Sequence, residues 1–333
     1  LMKSMRRSIL TAALAVSAMA TFPAFSAAPK EINFGIISTE SSKNLSKDFE
    51  PFLKDMEKAV GIPVKAFFAS DYAGVIEAMR FNKVQVAWYG NKSAMEAVDR
   101  SNGEIFVQTM ALDGSKGYYS TLVTHKDSPY NNLQDVLKNA KDIRFGIGDP
   151  NSTSGFLVPS YYVFALNKID PKKAFKSMTS SNHEGNLLAA AAKQVDVATN
   201  NTENMDRLKT TQPEKFAMIK EIWRSPLIPS DPLVYRKDLD AATKKKLKDF
   251  LLAYGRGNDA EGERQRKIMA PLTWRGFEPS TNDQLLPIRQ LELFKKRNKV
   301  EGDDKMAAAD KKKELAALDK ELAALEKKMK AKK

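Results

Sequence analysis

From residue 31 onward, short apolar runs alternate with amphipathic stretches along the chain. Residues 31–37 form an apolar run that predicts a strand, and a Ser-rich polar loop, 38–46, follows it. Phe52, Leu53, Met56 and Val60 then recur at helical spacing and predict a helix over 49–60. Gly61 ends that helix, because glycine accepts left-handed geometry without a Cβ clash. Strands over 63–69 and 84–88 and helices over 72–81 and about 93–99 continue the alternation, with Asp71 placed to cap the 72–81 helix. This β-α-β-α-β-α order implies a mostly parallel sheet. The loops 38–42, 70–72 and 89–91 fall beyond the carboxyl ends of its strands, where such sheets hold ligands.

The pattern restarts after Tyr118. Strand 121–125, helix 133–140, strand 143–146, loop 148–154, helix 156–167, helix 186–192 and strand 195–199 predict a second α/β lobe. Pro226, Pro229 and Pro232 then mark 222–234 as an extended crossing, since proline lacks the N–H that a helix interior needs. The chain would return there to the first lobe, whose last helices are expected over 243–254 and 283–294. The organisation read from the sequence is a hinged clamshell. One lobe is 27–120 with 232–294, and the other is 121–231 with the crossing segments.

The tail, 295–333, is a basic helical extension. Leu315, Leu318, Leu322, Leu325 and Met329 form a short heptad seam. The flanking Glu314, Asp319, Glu321 and Glu326 are all acidic, so a symmetric two-stranded coil would set like charges together. Two heptads are marginal alone, and the seam is expected to pack on another surface of this chain or of a second protomer, or to remain an exposed amphipathic helix.

The N-terminus has the layout of a secretory signal. Lys3, Arg6 and Arg7 precede an apolar stretch over 9–20 and small residues near Ser26 and Ala27, which places cleavage there and the mature protein in the periplasm. There is no cysteine, hence no disulfide and no lipid-acceptor thiol. The formal net charge of +13 suggests nucleic acid at first sight, but its distribution does not. Residues 1–26 carry three cations and no acid, and 295–333 carries fourteen cations against eight acids, so the body holds an excess of only four.

The most informative loop is Gly148-Asp-Pro-Asn-Ser-Thr-Ser-Gly155, between a strand and a helix. A helix N-terminus has unsatisfied N–H groups and partial positive charge, and Ser152, Thr153 and Ser154 add three hydroxyls there. Such a start suits a tetrahedral oxyanion, although one Ser or Thr could equally serve as a simple cap. There is no Gly-Lys-Ser/Thr ending of a nucleotide loop and no Gly-x-Ser-x-Gly elbow. The two histidines, His125 and His183, offer neither a hydrolase triad nor a zinc set. No cofactor is called for. By themselves Tyr72, Tyr118, His183, Glu203 and Asp231 read as packing, surface or capping residues.

Longer blocks change that reading. The runs Phe34-Gly-Ile-Ile-Ser-Thr-Glu40, Phe67-Phe-Ala-Ser-Asp-Tyr-Ala-Gly74, Ala87-Trp-Tyr-Gly90, Ala94-Met-Glu-Ala-Val-Asp-Arg100, Gly148 through Pro159, Gln194 through Asn204 and Pro287-Ile-Arg-Gln-Leu291 resemble the phosphonate-binding component of phosphonate ABC transporters. The resemblance covers nearly all of 31–294. It implies a type II periplasmic binding fold, α/β and two-lobed, that captures a ligand between lobes, is not an enzyme, and delivers its cargo to an inner-membrane ABC permease. It implies that Ser152, Thr153, Tyr72 and His183 bind phosphonate oxygens, with Tyr118, Glu203 and Asp231 near the ligand's amino end. The expected ligand is 2-aminoethylphosphonate, and the alternative is another small oxyanion such as methylphosphonate, phosphite or a sulfonate. The resemblance also extends to a homodimer built through C-terminal helices. Tyr119 and Tyr235 stand where tryptophans are expected, and Ser230 where a glycine is expected.

Overall fold

A computed structural model describes residues 28–331; the signal-like segment 1–26 lies outside them. Two sheets organise the chain. The first has six strands in the order Trp274–Pro279, Gly103–Ala111, Pro232–Arg236, Val86–Trp88, Ile32–Ile36, Val64–Phe68. Val86–Trp88, Ile32–Ile36 and Val64–Phe68 run parallel, as the alternation of elements predicts. The other three pair antiparallel, so the sheet is mixed rather than mostly parallel. Only strands joined through crossover helices need run parallel, and Pro232–Arg236 arrives from the other lobe instead.

The second sheet has five strands in the order Ile219–Arg224, Ser120–His125, Val197–Asn201, Arg144–Ile147, Ser177–Ser180. The two chain crossings pair with each other, Ile228–Pro229 lying antiparallel to Gly117–Tyr118. A Cβ on Gly117 would stand 2.1 Å from the Ile228 carbonyl oxygen, so only glycine lets the crossings meet. The result is a two-lobed α/β clamshell with a C-terminal helical extension.

Each sheet builds its own core. In the first, Phe34, Phe49, Phe52, Trp88, Trp274 and Phe277 are buried together. Phe49 meets Trp274 edge to face with ring centroids 5.6 Å apart, a favoured aromatic geometry. In the second, Leu122 and Val197 point to one face with Phe145 and Phe164, while their chain neighbours Val123 and Ala198 point to the other with Leu187 and Leu208. That alternation is the two-residue period of a strand covered on both sides.

The first helix, Ser42–Val60, begins about two turns earlier than its spacing suggested. The Ser41 Oγ accepts from the Asn44 N–H at 3.3 Å, and Leu45 and Phe49 extend the buried stripe backward past Pro51. Gly61 closes the helix at φ 70°, as expected. Two helices without an apolar stripe escaped the sequence reading, Thr202–Thr211 and Ala260–Met269; only two residues of each are buried. The helix expected over 156–167 is two wide-turned segments, Thr153–Leu157 and Ser160–Ala165. Its first turn is opened by a bond from the Leu157 N–H back to the Ser152 carbonyl, 3.1 Å. Such wide turns recur at functional sites.

The tail folds back on its own chain. Leu286–Glu301 and Ala308–Lys330 pack as a helical hairpin, with Leu318, Leu322 and Leu325 buried and Arg297 paired to Asp319 at 2.7 Å. The Leu286–Glu301 helix also spans both lobes. It packs on the Asn91–Arg100 helix of the first and, through Phe294 stacked on Tyr161 with centroids 5.8 Å apart, on the second.

Candidate functional site

The cleft is lined by helix starts. Tyr72, Thr153, His183 and Thr202 each open a helix, and the residue before each caps it with a side-chain oxygen. All four follow the carboxyl end of a strand, so their N–H groups and dipole ends face the same gap between the sheets. Asn91 opens a fifth helix whose own cap, Gly90, has no side chain to offer; Thr153 supplies it from across the cleft, its Oγ1 accepting from the Lys92 N–H at 2.8 Å.

Around the Ser152 loop the polar groups are dense and buried. The Ser152 Oγ accepts from the Gly155 N–H at 3.0 Å. The His183 Nε2 lies 3.4 Å from both the Ser152 and Ser154 hydroxyls and 3.3 Å from the Asn201 amide nitrogen. Burial, and then the charge of Arg207, push the His183 pKa down to about 3, so the ring is neutral. Its Nδ1 is buried without a hydrogen-bond partner among the described residues. The Tyr72 hydroxyl meets Ser152, and the Tyr72 N–H donates to Asp149 of the other lobe at 3.2 Å. Burial and nearby carboxylates raise the Tyr72 phenol, which keeps it a neutral donor.

Beside this cradle sits an acidic pair. Asp231, buried at the start of the Pro232–Arg236 strand, accepts from the Tyr118 hydroxyl at 2.9 Å and from the Trp88 indole N–H at 3.2 Å. Burial, and then the facing charge of Glu203, hold its carboxyl well above the usual range against those two bonds. Glu203 comes from the other lobe, in the first turn of Thr202–Thr211. It is half-buried yet enclosed enough that burial raises it to about 7, with Arg207 opposing and Asp206 adding to the shift. A Cβ on Gly90 would touch Thr153 Oγ1 at 3.2 Å and Asp231 Oδ1 at 3.9 Å, so cradle and acidic pair adjoin.

The structure brings all seven residues singled out in the sequence close together between the two sheets. Sequence reasoning missed Trp88, Asp149 and Arg207. Trp88 ends a strand at the cleft edge, a position that could have signalled it. Arg207 carried no such signal, because its polar helix was unread.

A family model described as the periplasmic substrate-binding protein of phosphonate ABC transporters matches residues 34–285. The chain belongs to this family. It is 56% identical over 282 residues to the phosphonates-binding periplasmic protein of Escherichia coli K12, covering 85% of this chain and 82% of that one. The crystal structure of a binding-protein component of a phosphonate ABC transporter from Pseudomonas aeruginosa superposes with a TM-score of 0.87. It is 59% identical and covers 91% of this chain and 98% of that chain. A methylphosphonate complex of a Prochlorococcus marinus binding protein, 22% identical, shares the fold at a TM-score of 0.69, over 79% of this chain and 97% of that one. The protein is thus a periplasmic phosphonate-binding component of an ABC transporter, a carrier and not an enzyme.

Two of the positions that depart from the family pattern have distinct surroundings. Tyr235 stacks on Phe106 at 4.2 Å and is covered by Lys244, within the first lobe's packing. Tyr119 lies beside the site, its N–H donating to Thr202 at 3.2 Å and its ring under the Arg224 guanidinium at 5.2 Å.

Proposed function

We propose that the cleft binds 2-aminoethylphosphonate, its phosphonate on the Ser152–Thr153 helix start with Tyr72 and His183, its ammonium between Glu203 and Asp231 beside Tyr118. One observation carries this reading: two carboxylates from opposite lobes, each raised by burial, adjoin an anion cradle of neutral donors. A carboxylate next to an anion site is repulsive unless a cation intervenes. A ligand with both charges satisfies both halves of the site, whereas a plain oxyanion leaves the acids buried and unpaired.

Charge-assisted bonds of about 1.5–3 kcal/mol each suffice for the phosphonate without a metal or a bulk cation. The neutral His183 supports the same reading, since its free Nδ1 and the hydroxyls can be arranged to donate to a dianion. Closure around a ligand that touches both lobes would present a new surface to the permease, because only differential affinity favours the closed state. A homodimer through the C-terminal helices would have to use the hairpin's outer face, as the leucine seam is already covered.

Titration calorimetry with 2-aminoethylphosphonate and methylphosphonate tests the assignment. Glu203→Gln is expected to cost about 2–5 kcal/mol for the aminophosphonate and far less for methylphosphonate. Ser152→Ala and Thr153→Ala should weaken both ligands alike. Equal losses for both ligands in Glu203→Gln would remove the ammonium role.

A further inference from the structure

Arg207 lies four residues after Glu203, one turn along the Thr202–Thr211 helix, so both side chains share a face. Across the cleft mouth Arg207 Nε meets the Glu40 carboxylate, which follows the Ile32–Ile36 strand of the other lobe. Both side chains are close to buried, at 11% and 9% exposed. The contact is a charge pair rather than an aligned hydrogen bond, since Nε has no hydrogen-bond partner among the described residues. Asn204 Nδ2 donates to the same Glu40 oxygen at 3.2 Å, and Arg207 Nη1 reaches the Leu272 carbonyl at 3.4 Å, again in the first lobe. The groups that face Glu203 are Arg207 and Asp206 on its own helix and Tyr118 and Asp231 across from it.

The ionisable groups therefore form a row that crosses between lobes: the Glu40 carboxylate, the Arg207 guanidinium, then the raised Glu203 and Asp231 carboxyls facing each other. Arg207 is a cation that acts on both of the last two carboxyls. We propose that Arg207 is a positioning residue that links lobe closure to recognition of a ligand cation, standing as the positive member between Glu40 of the first lobe and Glu203 of the second. Opening the lobes would part Glu40 from Arg207, and the Arg207 charge opposes the burial that raises the Glu203 carboxyl. Closure and selectivity thus depend on one guanidinium. The proposal rests on the reading that Glu203 meets the ammonium of an aminophosphonate.

The test is titration calorimetry of the full protein and its variants with 2-aminoethylphosphonate and methylphosphonate between about pH 6.5 and 8.5. Each value is referred to wild type at the same pH, so that the ligands' own titration cancels. Glu40→Gln removes only the closing contact, and both ligands should weaken by the same factor at every pH. Arg207→Met should weaken the aminophosphonate about tenfold more than methylphosphonate at the lower pH, the excess shrinking as pH rises and Glu203 ionises unaided. Arg207→Lys keeps the cation and should restore the wild-type pH profile; it also serves if the methionine variant does not fold. Arg207→Met losses equal for both ligands at all pH, or an Arg207→Lys profile displaced toward higher pH, would overturn the proposal. Equal losses in Glu203→Gln would instead overturn the ammonium reading beneath it.

Discussion

Glu203 and Asp231 are costly to the empty protein. Burial raises Glu203 from an ordinary 4.5 to about 7, so the folded chain holds a proton there that the unfolded chain has released. Stability therefore falls as pH rises from 4.5 through about 7, and Asp231, raised also, contributes with the same sign. His183 acts oppositely: its depressed pKa lets the unfolded chain bind the extra proton, so its contribution is lost as pH falls from 6.5 toward about 3. Above 6.5 His183 has no effect, and the carboxylates stand alone. Calorimetric melting of the unliganded protein between about pH 6.5 and 8 should show a falling midpoint that Glu203→Gln flattens. A slope unchanged by the substitution would mean that Glu203 is well solvated in the folded state. Residues that lower stability where a ligand restores it are expected at a binding site.

Among the elements, helix starts decide most of the chemistry. The Ser42–Val60 helix receives its own cap from Ser41, yet the Ser41 N–H and the Asn44 side chain both donate to the Glu184 carboxylate of the other lobe, at 2.9 and 2.8 Å. An anion on a helix N-terminus contributes about 0.3–1 kcal/mol, up to about 2 when partly buried. Because this contact spans the cleft, Glu184→Ala should weaken 2-aminoethylphosphonate and methylphosphonate by a similar amount within that range, which calorimetry can read. A loss confined to one ligand would show instead that Glu184 acts on the ligand itself. The helices that carry ordinary apolar stripes were legible in the sequence. Thr202–Thr211 was not, although it brings both Glu203 and Arg207, because a helix with only Asn204 and Leu208 buried leaves no periodic signal. The wide turn at Thr153–Leu157 was likewise invisible, since apolar spacing does not distinguish it from an α-turn.

At the scale of the whole molecule, the lobes are joined at the crossings and again along the first helix of the C-terminal hairpin. The crossings pair at Gly117 and Ile228, and the Leu286–Glu301 helix lies against both lobes through Phe294 and Tyr161. The Ala308–Lys330 helix covers the outer side of that helix and touches none of the seven cleft residues by any hydrogen bond or ion pair among the described residues. Truncation after residue 302 should therefore lower the melting temperature by exposing apolar surface while leaving affinity for 2-aminoethylphosphonate close to wild type. A large affinity loss would make the hairpin part of the closing machinery.

The sequence by itself determined the alternation of elements, the two-lobed plan, the oxyanion-suited loop and, through long matching blocks, the family. These are local quantities: spacing, capping and residue type act between near neighbours. Tertiary structure alone decided that two strands of the first sheet, Pro232–Arg236 and Trp274–Pro279, run against the other four, that Thr153 of one lobe caps a helix of the other, and that Arg207 stands between Glu40 of one lobe and Glu203 of the other. Each of those depends on which distant segments fold against one another, and the free energy of a buried charge is set by what surrounds it in space, which no run of adjacent residues encodes.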